Sequence, residues 1–317
     1  MNTIYLLLGI ALLTSGGEAL IRGALGISKR LGVSPMLSGL VIVGFGTSMP
    51  EMVVSIDAVR SGQPDIATGN VIGSNIANVL LILGLCAVIT PLTVTPAALR
   101  RDAVMVIAAS VLFVGLAWGT GLVRIDAIIL LLALTGYLVW AYRSERDITT
   151  PSGIVHKAEA AEINLVPPSL IWSISAVALG LGLLIAGSQV LLKGAIGIAQ
   201  IMGVSEAVIG LTLVAVGTSL PELTISVIAA LRRHADVAVG NVLGSNIFNL
   251  LGILGVSALV QPIEVSARIA SFDQWVMLGV ALLLFVFLYT GRTLNRLEGV
   301  VLLLGYIAYL IASYSLI

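Results

Sequence analysis

The sequence predicts an all-α polytopic membrane protein, with ten transmembrane helices arranged as two inverted-topology five-helix repeats. Three observations carry this expectation. The 317 residues are 58% hydrophobic and only 10% charged, too few charges to clothe a soluble domain of that size. Apolar runs of about 20 residues, the length that crosses a bilayer, recur along the whole chain. Two stretches are also near-copies. Residues 46–51 read GTSMPE and 217–222 read GTSLPE, while 69–78 read GNVIGSNIAN and 240–249 read GNVLGSNIFN, every pair offset by 171 positions.

The first span is expected at 3–22, where no basic segment precedes the apolar run, so it reads as a helix that stays and not as a cleaved leader. The second, at 37–59, carries Pro50 and Glu51, and the third, at 68–90, opens on the GNVIGSN copy. Spans at 103–119 and 125–142 complete the first half. The hydrophilic stretch 143–167, with mixed charges and prolines, reads as a linker too short for a domain of its own. Spans at 168–190, 207–230, 238–260, 274–290 and 298–316 form the second half. The domain division is therefore 1–142 and 168–317 about a 143–167 linker.

Charge supports this order. Twelve of the 16 Lys and Arg residues, among them Arg22, Lys29, Arg100, Arg101, Arg232 and Arg292, fall in odd-numbered loops, and four (Arg60, Arg124, Lys193, Arg268) in even ones. That positive-inside bias puts the odd loops and the linker in the cytoplasm and both termini outside it, in a multi-pass cell (inner) membrane protein. Residues 11–51 align with 182–222 without a gap, matching Gly16 with Gly187, Gly23 with Gly194 and Gly32 with Gly203. Five spans per half is an odd number, so the second copy enters the membrane inverted, as in secondary transporters. The many glycines, 34 in all, suit close helix packing.

Several function classes are excluded or made remote. A formal net charge of zero argues against nucleic acid as a partner. Neither HExxH nor GxSxG occurs, which argues against an intramembrane enzyme. No cofactor and no obligatory protein partner is expected beyond the lipid bilayer. Cys86, the single cysteine, reads as an inert buried thiol.

The duplicated stretches carry the chemistry. An intramembrane carboxylate costs about 2.5–3.5 kcal/mol on insertion scales and points to function, and Glu51 and Glu222 have no basic residue at mid-span to pair with. Pro50 and Pro221 lack an N–H and interrupt their helices, freeing carbonyls near Gly44–Thr47 and Ala215–Thr218. Thr47, Ser48, Thr218 and Ser219 add hydroxyls. Oxygen-only ligation suits Ca²⁺ and Na⁺ but not zinc or copper. Ser74 and Asn78 lie four apart on one helix face, as do Ser245 and Asn249. Asn70, Asn75, Asn241 and Asn246 divide between capping, interhelical bonds and the pathway. The broken helices would also serve a cation channel, although paired mid-span acids fit an occluding carrier better.

GTS-x-PE with GNV-x-GSNI-x-N, duplicated, resembles the calcium/cation antiporter superfamily, especially its prokaryotic sodium/calcium exchanger-like branch. The resemblance implies ten helices, alternating access, and a central site for Ca²⁺ and Na⁺ between the second, third, seventh and eighth. It implies Glu51 and Glu222 as the central carboxylates, Thr47, Ser48, Ser74, Thr218, Ser219 and Ser245 as hydroxyl ligands, and Gly44 and Ala215 as carbonyl positions. One departure stands out. Members of this branch can carry an Asp where this chain has Asn249, the mate of Asn78. Two glutamates neutralise one Ca²⁺ or two protons, whereas three Na⁺ would leave a net positive charge, so Ca²⁺/H⁺ exchange stands beside Ca²⁺/Na⁺ exchange.

Outside the motifs, Glu18 is expected to pair locally with Arg22, Asp57 to line the outer approach or remain uninvolved, and Asp65 and Asp236 to cap helices. His156 and His234 fall in loops.

Overall fold

The structure is a computed structural model describing residues 2–33, 35–94, 99–118, 121–146, 169–201 and 215–315. Among these, twelve helical elements follow one another, introduced here in chain order. They are α1 (Asn2–Leu31), α2 (Gly39–Thr47), α3 (Met49–Arg60), α4 (Pro64–Ile89), α5 (Val104–Leu116) and α6 (Arg124–Arg146), then α7 (Leu170–Ile201), α8 (Ala215–Thr218), α9 (Leu220–Leu231), α10 (Ala235–Val260), α11 (Ile269–Gly291) and α12 (Arg296–Ser315). Seven helices among the described residues are long and apolar enough to cross a membrane, and the α2–α3 pair, bent by 45°, makes an eighth. The helix entering α5 begins at Leu99 and takes Arg100, Arg101 and Asp102 into its first turn. Residues 202–214, the start of the seventh expected span, lie outside the described residues.

The helices are inverted with respect to a soluble protein. Large apolar side chains face outward, as at Leu132 (66% exposed) and Ile171 (79% exposed), while Ser48, Glu51, Asn75, Glu222 and Asn249 are buried. A bilayer rather than water is the solvent that matches this arrangement. Backbone polar groups are satisfied within helices, and α2, α4, α10 and α11 each contain a π-helical stretch. Two of these, Asn78–Leu83 and Phe248–Ile253, start at or beside the asparagines that end the GSN copies. Single π turns recur at functional sites because they re-aim side chains.

Helices α1 and α7, 30 and 32 residues long, run antiparallel. Gly9 lies against Leu191, Gly16 against Gly180 and Leu184, and Gly23 against Ser173 and Val177. The backbones approach so closely that a Cβ on Gly180 would lie 2.6 Å from the Leu20 nitrogen, a seam that only small residues permit.

Two backbone pairings join the helix ends, features outside an all-helical expectation. Strands β1 (Leu92–Thr93) and β2 (Thr293–Leu294) pair antiparallel, and Leu122 pairs with Ile263 through two hydrogen bonds of 2.8 and 2.9 Å. The first links the segment after α4 with that after α11, and the second links the segment after α5 with that after α10.

Several boundaries differ from expectation. Helices α1 and α7 run well past residues 22 and 190, because their amphipathic ends continue the helix beyond the apolar run. Helix α6 continues to Arg146, into the expected linker, and the rest of that linker, His156 included, lies outside the described residues. Asp65 and Asp236 do not cap. Gln63 and His234 occupy the N-cap positions, and the two acids fall in the first helical turn, where a carboxylate still opposes the helix dipole favourably.

Candidate cation site

The centre is built where α2 meets α3 and α8 meets α9. Each helix breaks at a serine, Ser48 (φ −83°, ψ 6°) and Ser219 (φ −89°, ψ 7°). Pro50 and Pro221 then occupy the first turn of the next helix, where a missing N–H costs nothing. The break is therefore as expected, but its carbonyl is not left free. Gly44 O accepts from the Ser48 backbone N–H at 3.3 Å and the Ser245 hydroxyl at 3.1 Å, with the Thr47 hydroxyl at 3.4 Å. For its expected counterpart, Ala215 opens the short helix that ends at Thr218.

Glu51 and Glu222 fall in the first turns of α3 and α9, so each carboxylate sits at the positive end of a helix dipole. Both are buried, each 1% exposed. Each is held by a serine from the opposite half. The Ser48 hydroxyl donates to Glu222 Oε1 at 3.1 Å and the Ser219 hydroxyl to Glu51 Oε1 at 3.3 Å. The second oxygen of each glutamate, Oε2, has no hydrogen-bond partner.

The hydroxyls converge between the halves. Thr47 Oγ1 lies 3.2 Å from Asn241 Oδ1 and 3.5 Å from the Ser245 hydroxyl, and the Ser219 hydroxyl lies 3.4 Å from that of Ser74. Gly244 lets α10 come this near. A Cβ there would collide with the backbone carbonyl of Leu40 on α2.

Behind the acids, four asparagines lock α4 to α10 with partners exchanged. Asn75 Nδ2 donates to Asn246 O at 3.1 Å, and Asn246 Nδ2 to Asn75 O at 3.3 Å. Asn78 Nδ2 donates to Asn246 Oδ1 and Asn249 Nδ2 to Asn75 Oδ1, both at 3.0 Å. The amide oxygens of Asn78 and Asn249 are left without a partner, like the two glutamate oxygens. Asn70 and Asn241 act one layer out. Asn70 donates to Glu51 O and the Ser55 hydroxyl, and Asn241 to Glu222 O and the Ser226 hydroxyl.

A cavity of about 120 Å³ runs along α4 to this centre, lined by Gly69, Gly73, Ser74, Ala77, Ser219 and Tyr306, among others. At the position equivalent to Ala77 stands Phe248, whose ring lies 3.6 Å from that of Phe45 between centroids. The two sides of the centre are therefore not alike in side-chain filling.

The chain matches the family described as sodium/calcium exchanger protein over residues 1–143 and 172–315. It belongs to that family. It is similar to the putative antiporter CaxA of Alkalimonas amylolytica, 38% identical over 99% of this chain and 98% of the relative. It is also similar to the sodium/calcium exchanger MaX1 of Methanosarcina acetivorans, 33% identical over 99% of both. Among solved structures, the sodium-calcium exchanger NCX_Mj soaked with Na⁺ and Sr²⁺ superposes with a TM-score of 0.83 at 31% identity, covering 98% of this chain and 97% of that one. Membership in the sodium/calcium exchanger family makes the chain a multi-pass membrane transporter and not an enzyme.

Not every singled-out residue belongs to the centre. Glu18 pairs with Arg22 at 2.8 Å as expected and also with Arg232 at 2.9 Å. Asp57 is exposed on α3, and Cys86 is buried and free.

Sequence reasoning missed a second duplicated polar cluster. Asp102, fully buried, is held by Arg101 at 2.5 Å and by the Tyr137 hydroxyl at 2.7 Å. Asp273, its mate at the 171 offset, is held by Arg268 at 3.2 Å and the Tyr309 hydroxyl at 2.9 Å. Each cluster ties a helix to its successor, α5 to α6 and α11 to α12. The signal was present in the matched aspartates, but a span drawn from residue 103 put Asp102 in a loop.

Proposed function

We propose that the chain is a secondary antiporter that exchanges Ca²⁺ for Na⁺ by alternating access at a central two-glutamate site. One observation carries the reading. Four buried oxygens, Oε2 of Glu51 and Glu222 and Oδ1 of Asn78 and Asn249, have no hydrogen-bond partner, and they form two pairs at the 171-residue offset. Buried acceptors are nearly always satisfied. Oxygens of this kind, two of them on carboxylates and two on amides, are the ligand type that suits a hard cation. The hydroxyls of Thr47, Ser48, Ser74, Thr218, Ser219 and Ser245 and the carbonyls of Gly44 and Ala215 complete the proposed set in the course of the cycle. Ca²⁺ and its counter-ion are the substrates, and no resident cofactor takes part.

In this reading ten spans form halves 1–142 and 168–317 of opposite orientation, joined by a cytoplasmic 143–167 segment, with both termini outside the cytoplasm. The loaded site permits the change of access and the empty, doubly charged one resists it. The neutral amides at Asn78 and Asn249 favour a second reading, Ca²⁺/H⁺ exchange, since two protons on the glutamates discharge the site fully.

The test is ⁴⁵Ca uptake into proteoliposomes loaded with Na⁺ and diluted into Na⁺-free buffer, repeated with a pH gradient in place of the Na⁺ gradient. Uptake under the Na⁺ gradient is expected. Uptake under the pH gradient alone selects the second reading, and uptake under neither removes both.

A further inference from the structure

We infer that the first turns of α1 and the last turns of α7 form a binding site for the headgroup of an anionic phospholipid, with Lys193 as its cationic contact. The two halves treat one basic position differently. Arg22 on α1 is paired by Glu18, one turn back, at 2.8 Å. At the 171-residue offset Lys193 keeps the positive charge, but Gln189, a neutral amide, stands where the first half has Glu18. No carboxylate pairs with Lys193 among the described residues. Its ammonium lies over the Tyr5 ring, 5.1 Å from the centroid, a contact that attracts a cation but supplies no negative charge. The second half therefore holds the cation without its anion.

Lys193 also lines a space for a ligand. A cavity of about 520 Å³ lies between Asn2 and Tyr5 of α1 and Gln189, Lys193, Gly197 and Gln200 of α7, and it shares no residue with the exchange centre. Glycines bring the two helices together there. A Cβ on Gly194 would lie 2.8 Å from the Asn2 carbonyl oxygen, and a Cβ on Gly197 would collide with the Asn2 side-chain amide. Gln189, Lys193 and Gln200 are exposed. The three side-chain amides and the ammonium are hydrogen-bond donors, and phosphate oxygens are strong acceptors for such groups.

Depth and surroundings select a lipid as the source of the anion. From Leu170 to Lys193, α7 rises about 35 Å, against about 30 Å for the hydrocarbon core. With residue 170 at one headgroup layer, Lys193 reaches the other, and Tyr5 falls at the level where tyrosines gather. Ile4 (66% exposed) and Leu7 (65%) of α1 and Ile201 (80%) of α7 are open to the bilayer at this end. A free anion gains nothing from them, whereas a phospholipid covers them with its chains. A headgroup with net negative charge is preferred over a zwitterionic one, whose own ammonium already balances the phosphate.

Native mass spectrometry of the full-length protein measures binding of the first phosphatidylglycerol and of the first phosphatidylcholine. The wild type is expected to prefer phosphatidylglycerol. Lys193→Gln is expected to weaken phosphatidylglycerol binding about fivefold, the effect of one basic residue facing an anionic lipid, and to leave phosphatidylcholine binding unchanged. Gln189→Glu recreates the pairing of the first half at i, i+4 and is expected to weaken phosphatidylglycerol binding with the lysine still in place. Arg60→Gln, at an exposed arginine elsewhere, should change neither. A melting curve on each variant establishes that it is folded. Unchanged phosphatidylglycerol binding in both Lys193→Gln and Gln189→Glu overturns the site, as does an equal loss in Arg60→Gln. Displacement of the lipid by an equal concentration of glycerol phosphate makes the ligand a small soluble anion and overturns the assignment to a lipid. None of these readouts depends on transport, so failure of the site leaves the exchanger reading untouched.

Discussion

Glu18, midway along the first helix, reaches Arg232 at the end of the helix that carries Glu222, with 2.9 Å between Oε2 and Nη2. The same carboxylate also holds Arg22. The positions equivalent to Glu18 and Arg232 are Gln189 and Ser61, so the opposite half has no such ion pair. Under the proposed alternating access, exchanging the conformations of the two halves would trade a charged contact for an uncharged one, so the pair would bias the molecule toward the arrangement described. Glu18→Gln is expected to shift the ratio of the two access states by up to about fivefold, the effect of the roughly 1 kcal/mol that a partly exposed pair supplies. Spin-label distance distributions between α1 and α9, with and without the substitution, measure it. Identical distributions would show that the contact is indifferent to state.

Glu51→Gln and Glu222→Gln are each expected to lower Ca²⁺ affinity by more than ~100-fold, since breaking one member of a buried charge pairing costs about 3–5 kcal/mol. Thermal stability without Ca²⁺ should hold or rise, because an unpaired charge has been removed from the interior. Isothermal titration with Ca²⁺ and a melting curve on the same sample check both. Retained Ca²⁺ binding in either variant would remove these residues from the site.

Asn249→Asp supplies a third carboxylate and takes away the donor to Asn75 Oδ1. Sodium dependence of Ca²⁺ exchange is expected to steepen, and stability to fall by about 1–3 kcal/mol from the donor lost. Initial ⁴⁵Ca rates against Na⁺ concentration give the Hill slope. An unchanged slope would mean that the amide at this position does not set the counter-ion.

Tyr137→Phe and Tyr309→Phe each remove a hydroxyl bonded to a buried aspartate. A loss of about 1.5–3 kcal/mol is expected for either, typical of a hydrogen bond to a charged group, with Ca²⁺ affinity unaffected. Denaturation midpoints and Ca²⁺ titrations together distinguish this from a role in transport.

The centre was legible in the sequence because duplication marked it. Glu51 and Glu222 stand out as charges in apolar runs, and the 171-residue offset pairs every neighbour. The Asp102 and Asp273 clusters were not, for two physical reasons. Their charges lower the local hydropathy at the span edge, which moves the predicted boundary past them. Their tyrosine partners, Tyr137 and Tyr309, are offset by 172 positions rather than 171, so alignment of the copies does not pair them. The Glu18–Arg232 contact has no mate at all and depends on how α1 lies against α9, which no local pattern encodes. Nor does spacing reveal the π-helical stretches, since side-chain type does not report a single wider turn of backbone hydrogen bonding.

The exchanged asparagine contacts also say something about symmetry. Asn75 bonds the backbone of Asn246 and Asn246 that of Asn75, while Asn78 and Asn249 repeat the relation through side chains. Such reciprocity is the signature of an isologous interface, in which a surface meets a second copy of itself about a two-fold axis. One copy of the GSN motif therefore carries both sides of this contact. The two copies differ beside this self-complementary surface, since Phe248 stands where the first copy has Ala77.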